Sequence, residues 1–367
     1  KNQNIMNPLN ELRQHGQSIW LDLLNREIMN SGKLKKLIDN DDLRGMTSNP
    51  SIFEKAISGS KDYNDDIEKI AQKNEDPIDA FFEIAIKDIQ RAADIFRPVF
   101  DQTNGKDGFV SLEVSPYLAR DTKETINQAR ELWKKVNRQN VMIKIPGTKE
   151  GMEAIKQCTA DGINVNITLL FGLPSYKHVI DAYLSGLEER VKQGKPIDQI
   201  ASAASFFLCR IDVMVDPMLK EKGAAHLQGE IAIASARKAY QIYLDCINNN
   251  RFLELEKKGA QRQRLLWAST STKNPEYSDV KYVEALIGKD TINTLPMETI
   301  DAFRDHGKVE DTLTTHIDKA QSAMRNLAKA GIDINQITQK LEDEGIEKFN
   351  KAFDNLLKAI ENQKEKV

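Results

Sequence analysis

The chain has 367 residues, 40% hydrophobic and 29% charged, enough for one large domain or for two ordinary ones. A net charge of −3, with basic residues scattered along the sequence, leaves no footprint for a nucleic-acid partner, and no run of about 18 apolar residues offers a membrane span. Three cysteines, Cys158, Cys209 and Cys246, contain no CxxC pair and read as reduced thiols; without an export signal near the N-terminus, the expected compartment is cytoplasmic.

In chain order, short apolar or alternating runs occur at 19–24 (IWLDLL), 45–48 (GMTS), 109–114 (FVSLEV), 141–146 (VMIKIP), 163–170 (INVNITLL), 201–207 (ASAASFF), 264–269 (RLLWAS) and 290–295 (DTINTL). Helical periodicity fills the stretches between them. At 78–97, for example, Ile78, Phe81, Phe82, Ala85, Ile89, Ala92 and Phe96 recur three or four apart. Such alternation predicts an α/β fold of parallel strands joined by crossover helices. An open doubly wound sheet would also alternate, but eight units is the count that closes a (β/α)8 TIM barrel. The barrel is expected over 1–310, with extra helices at 223–258. Residues 311–367 read as a C-terminal helical extension, whose stripe Ile346, Phe349, Phe353, Leu356 and Ile360 either docks on the same barrel, forming one domain, or meets a partner.

Side chains alternate faces along a strand, so each run sorts into two sets. In 141–146, Val141, Ile143 and Ile145 oppose Met142 and Lys144; in 109–114, Val110, Leu112 and Val114 oppose Phe109, Ser111 and Glu113. Likewise Ile163, Val165, Ile167 and Leu169 oppose Asn164, Asn166 and Thr168, and Ile19, Leu21 and Leu23 oppose Trp20 and Asp22. A half-solvated antiparallel sheet would show the same alternation. In a barrel, however, the aliphatic set faces the outer helices, and the polar set must share the lumen, where charge is costly unless paired.

An amine enclosed by Ile and Met loses solvation of its charged form, which favours a neutral lysine able to attack a carbonyl. The product is an iminium, an electron sink that permits cleavage of a nearby C–C bond. The competing reading of Lys144 is a buried ion pair with Glu113 or Asp22. If Lys144 is the nucleophile, Glu113 is the candidate for proton transfer through a water held by Thr168, and Asp22 the candidate base for the substrate hydroxyl. Asn49, ahead of Pro50, fits a helix N-cap. Ser205 with Arg210, and Ser269 with Lys273, offer hydroxyls and cations near the ends of the sixth and seventh runs, where barrels often bind phosphate. The five histidines form no HxH or HxxxH pair, so no metal is expected, and no GxxxxGK[ST] or GxGxxG motif suggests a nucleotide.

The segments SIWLDL, GMTSNPSIFEKAI, SLEVSPYLARD, VMIKIPGTKEG, GINVNITLLFG, ASFFLCRID and LLWASTSTKNPEYSD resemble, in order, the transaldolase family, in its larger-chain branch. The resemblance implies a Schiff-base (β/α)8 enzyme of the non-oxidative pentose phosphate pathway. Such an enzyme moves a dihydroxyacetone unit from sedoheptulose 7-phosphate or fructose 6-phosphate to glyceraldehyde 3-phosphate or erythrose 4-phosphate, without cofactor. It further implies that Lys144 forms the Schiff base, that Glu113 and Thr168 manage the catalytic water, and that Asp22 is the acid/base. Asn49 and Asn166 would hold the dihydroxyacetone unit, while Ser205, Arg210 and Ser269 would contact substrate or phosphate. Where smaller family members read Ser-Phe-Arg, this chain reads Ser269-Thr270-Ser271-Thr272-Lys273, so Lys273 is the candidate to supply the missing cation. The rivals are a Schiff-base aldolase releasing free dihydroxyacetone and a non-catalytic sugar-phosphate-binding barrel. The expected partners are phosphosugars, and the expected assembly a monomer or homodimer.

Overall fold

Each of the eight runs overlaps a strand: β1 (Gln17–Asp22), β2 (Leu43–Thr47), β3 (Phe109–Glu113), β4 (Val141–Pro146), β5 (Val165–Leu170), β6 (Ser202–Phe207), β7 (Arg264–Ala268) and β8 (Thr291–Leu295). They pair in sequence order, all parallel, and β8 closes on β1. Closure leaves no exposed sheet edge. The computed structural model describes residues 7–366, so the outer limits expected for barrel and extension, 1 and 367, lie outside the described residues.

Strand limits moved where a polar side chain is recruited early. The run read as 19–24 ends as a strand at Asp22, because the chain then turns into Asn25, whose side chain caps the helix Arg26–Asn30; Leu23 therefore lies beyond the sheet. β2 begins at Leu43 rather than 45, its start masked in the sequence by Arg44.

The face assignment explains the core. Val141, Ile143 and Ile145 point out of β4 and are fully buried, as are Val110 and Leu112 of β3. The lumen divides in two. Its N-terminal half is plugged by Trp20, whose indole Nε1 donates to Asp107, a carboxylate also paired with Arg264 at 3.0 Å. Gly45 faces that indole across the β1–β2 pairing: a Cβ there would meet the Trp20 ring at 2.5 Å, so only glycine fits without displacing the plug. The polar half is thereby confined to the carboxyl ends of the strands.

The helix Ile334–Lys364 packs against the helices Pro50–Ser58, Asn64–Lys73, Pro77–Gln102 and Cys209–Glu221 and touches β5. Ile346, Phe349, Phe353, Leu356 and Ile360 are all buried. Phe353 meets Phe81 edge-on at 5.4 Å and Tyr117 at 5.1 Å. Tyr117 donates a hydrogen bond to Asp354, and Arg120 pairs with Asp343 at 2.8 Å, tying this helix to the segment that follows β3.

Candidate active site

Lys144 stands in the lumen near the end of β4, its side chain almost wholly enclosed. Its neighbours depart from the sequence expectation. The β-branched residues beside it point outward, so the amine meets polar groups: Nζ donates to the Ser48 carbonyl at 3.0 Å and lies 3.7 Å from Glu113 Oε1. Register causes this, since Glu113 and Asn166 are the residues directly opposite Lys144 on β3 and β5. The lysine–glutamate pair weighed in the sequence is thus present, with the amine's hydrogen bond going elsewhere.

Burial pushes the Glu113 carboxyl up to about 7, against the opposing pull of Lys144. Among the described residues, neither carboxylate oxygen accepts a hydrogen bond, and Thr168 Oγ1, on the inward face of β5, is likewise buried without a partner. Asp22 closes the other side of the lumen. Desolvation raises its carboxyl, while Lys144 and a 2.8 Å hydrogen bond from Thr47 oppose the rise and Glu298 adds to it. Thr47 shares a further 2.7 Å hydrogen bond with Thr294 of β8, fixing the threonine that orients Asp22.

The amide side chains are held laterally. Asn166 donates to Ser111 at 3.1 Å and accepts from Ser205 at 2.6 Å. The Asn49 carbonyl oxygen caps the helix Pro50–Ser58 by accepting from Ile52 N at 2.9 Å. Asn49 also lines the cavity, so the capping role read from the sequence and a place at the cavity coexist.

Above the lysine opens a cavity of about 600 Å³, whose walls include Asp22, Asn49, Lys144, Ser205, Arg210, Ser269 and Lys273. Glu113, Asn166 and Thr168 belong to the adjoining inward faces of β3 and β5. Arg210 opens the helix Cys209–Glu221 and reaches the cavity with Nη1 buried and unbonded. Ser269 adopts a left-handed backbone, φ 55°, and its hydroxyl contacts Cys209 Sγ at 2.8 Å. Behind these residues Asp212 accepts from Tyr282 at 2.5 Å and from Ala232 N, and Asp216 accepts from Tyr277, pinning the loop after β7 to the helix that carries Arg210.

Sequence reasoning passed over several members of this site. Thr47 stood inside a quoted motif, and its inward position two residues after Gly45 was the available signal. Thr294, Glu298 and Lys55 carried none. Neither did Leu341, Glu344, Lys348 and Phe349, which the C-terminal helix brings to the cavity wall from far along the chain.

A closed eightfold α/β barrel with an enclosed lysine, flanking carboxylates and an arginine at the cavity on its carboxyl side has the architecture of a (β/α)8 barrel enzyme. Residues 19–360 match the sequence model of the transaldolase/fructose-6-phosphate aldolase family. The chain is 46% identical to a transaldolase of Trichodesmium erythraeum, with 99% of each chain covered. It is 46% identical to transaldolase 2 of a Nostoc species over 98% of each, and 42% identical to the transaldolase of Thiobacillus denitrificans over 97% of this chain and all of that one. The chain belongs to the transaldolase/fructose-6-phosphate aldolase family.

Proposed function

We propose that the protein is a transaldolase: a transferase that moves a dihydroxyacetone unit from a ketose phosphate to an aldose phosphate through a Schiff base on Lys144. The observation that carries this reading is the enclosure of the Lys144 amine, 5% exposed, between the Ser48 carbonyl and Glu113. The amine adds to the ketose carbonyl. Glu113, its carboxyl pushed up by burial, gives a proton to the departing hydroxyl through a water that Thr168 also binds, so the carbinolamine loses water and becomes an iminium. Asp22 takes the proton of the hydroxyl on the far carbon of the breaking bond. That carbon becomes the aldehyde of the departing aldose phosphate, and the bonding pair moves toward the iminium to form an enamine. Asn49 and Asn166 hold the retained three-carbon unit. With the lumen closed below by Trp20, the enamine is shielded from water until an acceptor aldehyde takes its electron pair and Asp22 returns the proton; water activated by Glu113 then adds to the product iminium, and the ketose leaves as the Lys144 amine is regenerated.

Arg210, Ser205, Ser269 and Lys273 bind the phosphate-bearing end at the mouth, Lys273 as a point charge where an arginine would give a fork. The protein acts in the non-oxidative pentose phosphate pathway, with the cytoplasm as its compartment. Among the described residues no helix is long and apolar enough to cross a membrane.

Borohydride reduction in the presence of fructose 6-phosphate, followed by peptide mass mapping, tests the reading. The adduct should fall on Lys144 and disappear in Lys144→Ala; an adduct persisting on another lysine would overturn the assignment. Equal turnover with and without an acceptor aldose would replace transfer by simple aldol cleavage.

A further inference from the structure

The C-terminal helix Ile334–Lys364 does more than cover hydrophobic surface. Leu341, Glu344 and Lys348 follow one another at helical spacing, and with Phe349 they line the cavity above Lys144. The contact is close at Gly345, where a Cβ would lie 3.7 Å from Arg210 Nη1 and 2.9 Å from Leu169 Cδ2. The helix backbone therefore rests almost against the guanidinium. Lys348 is three residues farther on, and side chains at that spacing are neighbours, with Cβ atoms about 5–6 Å apart. A lysine side chain spans such a gap, so an anion seated on Arg210 is within reach of the Lys348 ammonium.

Charge favours the same occupant. Among the described residues, Arg210, Lys273 and Lys348 make no side-chain hydrogen bond or ion pair, although all three line one cavity. Some other cations of this protein are tied to acids, as Arg251 is to Asp181 and Glu188, or Arg304 to Asp41 and Asp301, whereas Lys55, on the same cavity wall, has no such partner among the described residues. Glu344 shares the wall, and its field reaches Arg210, yet it pairs with neither Arg210 nor Lys348 within 4.0 Å. An exposed helical lysine is ordinarily only solvated. Lys348 differs in lining the same cavity as a buried guanidinium whose Nη1 has no hydrogen-bond partner among the described residues.

We propose that Lys348 is a substrate-binding residue: together with Arg210 and Lys273 it forms a three-sided cradle for the terminal phosphate of the sugar, completed by the C-terminal helix. This inference rests on the proposed phosphosugar chemistry for its ligand. Phosphate recognition can nevertheless be read without turnover. Each charge-assisted hydrogen bond strengthens binding by about tenfold or more, so the contribution is measurable.

Lys348→Met, Lys348→Arg and Lys55→Met should be compared with the parent protein. Lys55 lines the same cavity from the helix Pro50–Ser58 and controls for the summed charge of the mouth. For Lys348→Met, KM for fructose 6-phosphate and the inhibition constant of inorganic phosphate should both rise by about tenfold, the loss appearing mainly in KM, with Lys348→Arg recovering most of it. Lys55→Met should move both by less. Borohydride trapping with dihydroxyacetone, which carries no phosphate, should change by less than about twofold in Lys348→Met, since no phosphate contact is at stake.

Calorimetric binding of inorganic phosphate to Lys144→Ala should still depend on Lys348, which separates the cradle from the Schiff-base assignment. Unchanged phosphate affinity in Lys348→Met would overturn the inference while leaving the adduct chemistry intact. Equal weakening by Lys55→Met would replace a local contact with a diffuse field, and an equal loss with dihydroxyacetone would reveal a displaced helix. Absence of any adduct in the parent protein would instead sink the proposed function.

Discussion

Lys144 Nζ lies 3.7 Å from Glu113 Oε1, on residues paired directly across β3 and β4, yet its hydrogen bond goes to the Ser48 carbonyl. The carboxylate is near enough to exchange a proton by way of one water and too far to lock the amine in a tight ion pair. With its carboxyl pushed up to about 7, Glu113 can both give and accept a proton near neutrality. Glu113→Gln keeps the shape and removes that capacity. Its kcat should fall by about 10²–10⁴, with fructose 6-phosphate KM changed far less, and borohydride should capture the adduct more slowly. Steady-state kinetics with kcat within a few-fold of the parent would remove Glu113 from the proton path.

Asp22 depends on Thr47. The 2.8 Å hydrogen bond lowers a carboxyl that burial raises, and Thr294 holds the same threonine in place. Thr47→Val preserves volume and deletes the donor, so the Asp22 carboxyl should rise further. The acid limb of the kcat pH profile should move upward, and kcat/KM at neutral pH should drop by about tenfold, the worth of one hydrogen bond to a charged group. A profile that shifts downward, or does not shift, would contradict the assignment of Asp22 as the base.

Much of this site was legible because the side-chain period of a strand is two. Once 141–146 was sorted into Val141, Ile143 and Ile145 against Met142 and Lys144, the lumen position of the lysine followed, and the same step placed Glu113, Asn166 and Asp22. Register supplied what alternation could not: that Glu113 and Asn166 flank Lys144 directly. The mouth was less readable. Arg210 and Lys273 stood in recognisable segments, but Glu344 and Lys348 reach the cavity only through the docking of a helix that is distant in sequence. Amphipathic periodicity shows that such a helix has an apolar stripe; it does not say which polar flank will face a particular strand end.

The buried Asp212 should make stability depend on pH. Burial lifts its carboxyl from 3.8 to about 6, even with hydrogen bonds from Tyr282 and Ala232 N. In the folded protein the group therefore keeps its proton to a higher pH than in the unfolded chain. Its stabilising contribution is fully present below about pH 4 and is lost as pH rises through about 6, a loss of up to about 3 kcal/mol. Asp212→Asn does not ionise and escapes the loss. The difference in unfolding free energy, variant minus parent, should become more positive between about pH 4 and pH 7.5. Denaturant titrations giving a constant difference would show that Asp212 ionises without cost.

The last prediction concerns whether the C-terminal helix is one cooperative unit with the barrel, as we propose. Phe353 is 1% exposed, and its ring meets Phe81 of the helix Pro77–Gln102 and Tyr117 beyond β3. Truncating it removes edge-on aromatic contacts and leaves a cavity that the surrounding helices can only partly close. Phe353→Ala should therefore cost about 3–5 kcal/mol. If helix and barrel unfold together, that cost lowers the temperature of a single transition, and far-ultraviolet and near-ultraviolet circular dichroism move in step. A helix docked as a separate unit would behave differently: the variant would melt in two stages, with helical signal lost first while the tryptophans buried in the barrel, Trp20 and Trp267, kept their native environment. The cavity wall bearing Lys348 would loosen in that first stage, so phosphosugar KM should rise before the main transition begins.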